Sequence, residues 1–248
     1  KASRSLNIKY FIQYAISLSE TRISQMDLHH ILCIVILCLS RADVKMYQDA
    51  CDLCSCTLDS FHQWHVDCSN RNLNYSMVPT VYPNLTISLI LSYNTIGRLL
   101  NKSFSELHNL KILDISYANL LRVEKEAFDG LYRLEVLDIS HNLLMISNRS
   151  VPVRLVRDLT SLKVLKIDHN VKDTKRTDIS YSDEVMGQVK SLQTLYMDGL
   201  INSTFGPGFR NLVNLTTIIF SGEENGGYCG LKTISSAMFK NVPYIKKN

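Results

Sequence analysis

The chain has 248 residues, 46% hydrophobic and 20% charged, which is ordinary globular composition with enough apolar material for a sizeable core. A net charge of +4 is mild and argues against a nucleic-acid binder, for which a concentrated basic face is expected. Even that excess is local, because residues 1–42 hold five basic side chains (Lys1, Arg4, Lys9, Arg22, Arg41) against two acidic ones (Glu20, Asp27), leaving 22 basic and 21 acidic residues in the remainder.

The first methionine is Met26. Ile31 to Leu39 is a run of nine apolar or cysteine residues, followed by Ser40-Arg41-Ala42. A short apolar core with small residues at the two positions a signal peptidase reads predicts a secretory signal over 26–42, cut after Ala42. The run is too short for a bilayer span, which needs about 20 apolar residues. The alternative, a buried strand or helix, fits less well because Asp43-Val44-Lys45 reads as a mature start. Residues 1–25 receive no role. Cys33 and Cys38 would leave with the signal, and Cys51, Cys54, Cys56, Cys68 and Cys229 would remain. The cluster Cys51-x-x-Cys54-x-Cys56 with Cys68 falls in a predicted N-terminal cap over 43–85. It has two readings: a disulfide framework, or a zinc site in which His62-x-x-His65 adds nitrogen ligands.

Beyond the cap one phrase recurs: Leu110-x-x-Leu113-x-Ile115, Leu134-x-x-Leu137-x-Ile139-x-x-Asn142-x-Leu144, and Leu162-x-x-Leu165-x-Ile167-x-x-Asn170. This pattern resembles the leucine-rich repeat, in which a short strand and an asparagine turn stack on their neighbours because no copy buries its apolar edge alone. Copies starting at Thr86, Leu110, Leu134, Leu162, Leu192 and Leu215 give six repeats spaced 24, 24, 28, 30 and 23 residues apart, and a seventh starts at Ile245. The predicted fold is therefore an α/β leucine-rich repeat solenoid over 86–248, a curved parallel sheet on its concave face behind a disulfide-bonded cap. Such an array needs its core sealed at the end. That need, together with the secretory signal, favours bridges Cys51–Cys56 and Cys54–Cys68 over zinc and leaves the two histidines at the surface.

Phenylalanines recur on the return limb at Phe104, Phe128, Phe209 and Phe239, with Leu107 and Leu131 three residues after the first two. Asn94, Asn142 and Asn170 form the predicted asparagine ladder; Ala118, Leu200 and Glu223 replace it in copies two, five and six. Strands are expected near Leu89–Leu91, Leu113–Ile115, Leu137–Ile139, Leu165–Ile167, Leu195–Met197 and Ile218–Phe220. Alternation then buries Leu113, Ile115, Leu137, Ile139, Leu165 and Ile167 and exposes Asp114, Asp138, Lys166 and Tyr196 on the concave face. Tyr93, Tyr117, His141 and His169 form a second column that either contacts a ligand or simply stacks along the ladder. The polar segment 171–182 and the glycine-rich segment 223–230 are read as solvated loops.

Six sequons, at Asn74, Asn84, Asn101, Asn148, Asn202 and Asn214, fit a glycosylated extracellular protein, with the sites beside strands, Asn84 and Asn214, the weaker ones. Cys229, the odd cysteine of the mature part, is either a free thiol or one half of a bridge whose partner is elsewhere. No Gly-x-Ser-x-Gly, phosphate loop, His-Glu-x-x-His or dinucleotide motif is present, so the reading is of a binding protein with no catalytic residues, no metal and no cofactor.

The cysteine cap, the Leu-x-Ile-Ser-x-Asn rungs and the phenylalanine limbs resemble the ectodomain of Toll-like receptors, and invertebrate members most. Leu195-Tyr-Met-Asp-Gly-Leu200, Thr204-Phe-Gly-Pro-Gly-Phe209 and Met238-Phe-Lys-Asn-Val-Pro243 add to the likeness, which runs from Cys51 to Asn248. The resemblance implies an N-terminal fragment of a cell-surface innate immune receptor, with Cys229 paired to a cysteine beyond Asn248. It would bind a microbial or protein ligand, dimerise, and signal through a membrane helix and a Toll/interleukin-receptor domain lying beyond this sequence. A secreted or matrix binding or adhesion protein without a signalling domain is the alternative.

Overall fold

The computed structural model describes residues 49–144, 153–171, 181–200, 205–221, 237–242 and 244–245. The expected signal over 26–42, Asn148, Asn202, Glu223 and Cys229 lie outside the described residues.

Asp49 caps a single helical turn, α1 (Ala50–Leu53), its carboxylate accepting the Cys51 N–H. Strands β1 (Ser55–Leu58) and β2 (Trp64–Asp67) follow as an antiparallel hairpin. The repeats then supply β3 (Thr86–Ile90), β4 (Arg98–Leu99), β5 (Ile112–Asp114), β6 (Arg122–Val123), β7 (Val136–Asp138), β8 (Val164–Lys166), β9 (Thr194–Asp198) and β10 (Thr217–Ser221). One eight-stranded sheet runs β1-β2-β3-β5-β7-β8-β9-β10, and β4 pairs with β6 in a small second sheet on the return limbs. All repeat strands are parallel, and Leu89, Leu113, Leu137, Leu165, Leu195 and Ile218 stand abreast. The regular strands in copies two to four end one residue earlier than expected, at Asp114, Asp138 and Lys166. The ladder nonetheless continues, since Ile115 donates to the Asp138 carbonyl and Ile139 to that of Lys166.

The cap contributes a rung of its own. Val66 and Cys68, both buried, take the places of the two leucines, with Val66 abreast of Leu89. The structure joins Cys51 to Cys56 and Cys54 to Cys68, with Cα separations of 5.5 and 4.5 Å. His62 is exposed, and His65 faces Asp59 at 3.5 Å.

Behind the sheet, each return limb makes one tight turn whose backbone bond links an apolar residue to another three positions on. The pairs are Phe104/Leu107, Phe128/Leu131, Val156/Leu159, Met186/Val189, Phe209/Leu212 and Phe239/Val242. Phe104 and Phe128 stack at 6.3 Å, so the phenylalanines form an internal spine. Val156 and Met186 are the spine members in copies three and four, where a search for phenylalanine finds nothing. A cavity of about 660 Å³ sits there, lined by Phe128, Leu137, Val156, Leu165 and Met186 among others. Smaller spine residues leave volume that the adjoining side chains do not reclaim.

Candidate functional site: the sheet face and its turn edge

Two columns of side chains point outward from the parallel strands. The first is Ser88, Ile112, Val136, Val164, Thr194 and Thr217, abreast in register. It forms a β-branched stripe; Ile112 is 38% exposed, and Val136 and Val164 are half-buried. The second is Ile90, Asp114, Asp138, Lys166, Tyr196 and Ile219. An aliphatic stripe beside a charged one is a surface suited to a partner with matching apolar and polar groups.

Within the charged column the expectation for Asp138 is corrected: it is 9% exposed and not a free acid. Lys166, abreast in the next copy, places its Nζ 2.9 Å from Asp138 Oδ2, while Asp138 Oδ1 accepts from the Ser140 N–H and hydroxyl. That hydrogen bond to Asp138 raises the Lys166 pKa above its ordinary value, although partial burial opposes the shift. The Lys166 ammonium also lies 5.5 Å from the Tyr196 ring centroid. Asp114 and Tyr196 are half-buried, and Asp114 accepts the Ser116 N–H.

The aromatic column lies on the turn that follows each strand, not on the strand itself. Tyr93, Tyr117, His141 and His169 all have left-handed backbones, with φ of 56, 50, 52 and 55°. Their rings stack face to face, centroids 4.6, 4.1 and 4.0 Å apart and planes within 11°. Tyrosine is a poor left-handed residue, and stacking contributes roughly 0.5–1.5 kcal/mol per pair against that strain. Asn70 of the cap holds the preceding place with φ 53°. Burial and then the neighbouring His169 lower the His141 pKa, against the carboxylates of Asp168 and Asp138.

The asparagine ladder is complete where the sequence supplies it. Asn142 Oδ1 accepts the N–H groups of Ala118 and Leu120 in the preceding copy, and its Nδ2 donates to the carbonyls of Ile115, Ile139 and Ser140. Asn94 does the same for the cap, accepting from Arg71 and Leu73 and donating to Cys68. Asn170 accepts from Leu144 and donates to Ile139. Copy five has Leu200 in that place, and Asp198 takes over. Its buried carboxylate accepts the N–H groups of His169, Asn170 and Val171. Burial pushes the Asp198 pKa up, and those N–H groups pull against it. The substitution was readable only as a missing asparagine; the acid two residues earlier gave no motif.

Of the described sequons, Asn84, Asn101 and Asn214 are exposed and Asn74 is half-buried. The Asn101 Oδ1 accepts the Glu126 N–H, Asn74 Oδ1 accepts from Ser76, and Asn214 Nδ2 donates to the Lys190 carbonyl.

A family model described as leucine rich repeat matches residues 83–144, the segment that carries β3 to β7 and two of the ladder asparagines. No curated protein matches the chain. The fold is a leucine-rich repeat solenoid. Leucine-rich repeat solenoids present an extended sheet as a binding surface, which suggests a protein-binding role for the domain and is typical of proteins without catalysis. Among the described residues no helix is long and apolar enough to cross a membrane.

Proposed function

We propose that this leucine-rich repeat protein is the ligand-recognising ectodomain of a cell-surface Toll-like innate immune receptor. It binds a microbial product or a protein ligand on its sheet face and signals by dimerisation through other parts of the protein. The observation that carries the reading is the pair of outward columns on a disulfide-capped parallel sheet, aliphatic at Ile112, Val136 and Val164, charged at Asp114 and Lys166. Disulfides belong to the secretory compartment, and the exposed sequon asparagines agree with an extracellular location.

Reading the coding sequence past Asn248 tests the receptor assignment. An apolar membrane helix followed by a Toll/interleukin-receptor domain is expected; a closing cap and a stop codon would replace it with the secreted or matrix binding protein. Arrayed lipopolysaccharide, peptidoglycan and bacterial lipoprotein test the surface. Binding should be lost in Val136→Asp/Lys166→Glu, and equal binding by that variant would move the ligand off the sheet face.

A further inference from the structure

We propose that His141, Asp168 and His169 form a binding site for a divalent transition-metal ion of the zinc class, on the turn edge of the sheet between copies three and four. One potential ligand atom from each of the three residues lies within 4.8 Å of the other two. Two imidazoles and one carboxylate suit zinc, nickel or copper, whereas calcium and magnesium demand a shell of oxygens. Three protein ligands also leave one tetrahedral position open to solvent or to a group on a bound partner.

The second observation concerns Asp168 itself. Its side chain is only 9% exposed, yet Oδ1 is buried without a hydrogen-bond partner. A buried carboxylate oxygen left unpaired is costly, and a cation is the partner that removes the cost. The other oxygen, Oδ2, lies 2.9 Å from His169 Nδ1. That contact fixes the orientation of the His169 ring beside the carboxylate. These residues are brought together only by stacking: His141 donates its backbone N–H to the Asp168 carbonyl, and its ring lies 4.0 Å from that of His169.

The two rings are parallel, so their in-plane lone pairs run side by side and metal capture requires the rings to tilt toward each other. The place beyond His169 in this column is held by Gly199, abreast of it in β9's copy, which sets no third ring against the stack. The site is independent of the receptor reading, since it needs only the rung geometry of copies three and four.

Titration of the full chain with Co²⁺ and then Zn²⁺ tests the assignment, followed by visible d–d absorption and calorimetry. The informative variants are His141→Asn and His169→Asn, because asparagine accepts the left-handed φ of 52 and 55° and keeps the turn. Each should weaken Zn²⁺ binding by on the order of 100-fold, the upper range for loss of even a supporting residue, and Asp168→Asn should do likewise. His62→Asn/His65→Asn in the cap should leave binding unchanged. Absence of ligand-field absorption in the wild type would overturn the proposal, as would wild-type affinity in His141→Asn and His169→Asn or loss of binding in the cap variant.

Discussion

Single side chains hold adjacent copies together through backbone groups that strand pairing leaves over. Asn142 is the clearest case, for its amide satisfies two N–H groups of the preceding turn and three carbonyls. Asn142→Ala should cost about 2–4 kcal/mol in urea unfolding, because the Ala118 and Leu120 donors stay buried without acceptors. A loss below about 0.5 kcal/mol would show that water replaces the amide there. Asp158 serves a similar end on the return limb, accepting the Gly130 N–H at 2.9 Å and the Arg157 Nε at 3.0 Å. Burial pushes its pKa up, but the Gly130 N–H, the bonds from Arg157 and Tyr132 and the Arg157 charge outweigh it, leaving the value below 3.8. A depressed acid contributes stability above its unfolded pKa and loses it as pH falls through the folded value. Asp158→Asn should therefore lower the melting temperature at neutral pH, with the gap to wild type closing only as pH drops below 3.8. A gap constant with pH would assign the effect to shape and not charge.

At the level of elements, the return limbs of copies four and five approach backbone to backbone. The turn α2 (Asp183–Met186) is capped by Ser182 and meets the 3-10 turn Pro207–Asn211. Gly208 donates its N–H to Asp183 Oδ2 at 2.7 Å, and a Cβ there would overlap the Asp183 carbonyl oxygen. Gly208→Ala should destabilise the protein by more than the usual surface change of about 0.5 kcal/mol, while Asn211→Ala nearby serves as the comparison. Equal melting temperatures would mean that the limbs part freely. The strands, their order and the stacked leucines were legible from the sequence because a period of 23–30 residues fixes which residues stand abreast. The burial of Asp138 was not legible, since alternation states which way a side chain points but not that Lys166 of the next copy reaches back over it. Nor was the cap's own rung, because Val66-x-Cys68 replaces the leucines and lies outside the repeat period. Repeat spacing set His141 beside His169, but nothing in it marked Asp168 as their neighbour or Asp198 as the acceptor for N–H groups 27 or more residues away.

Across the molecule, stability is a chain of neighbour contacts, so a loss at one end travels only as far as the copies it touches. The cap bridges differ in that respect. Cys68 is fully buried under the first repeat and its bridge spans 14 residues, whereas Cys51 is exposed and its bridge spans 5. Cys68→Ser should cost roughly 2–5 kcal/mol and Cys51→Ser about 1 kcal/mol less, from the logarithmic dependence on loop length. Hydrogen exchange should show the Cys68→Ser loss in β2 and β3 first, with β8 and β9 protected. Uniform loss of protection would mean that the copies melt as one unit.

The asparagine bonds run one way: each amide reaches back to the copy before it, never forward. A copy emerging from the ribosome therefore holds a turn with open amides until the asparagine about 24 residues later has been made. At about 5–20 residues per second, that interval is on the order of 1–5 seconds for the turns that Asn94, Asn142 and Asn170 close. A pause in translation within that interval leaves such a turn exposed to chaperones.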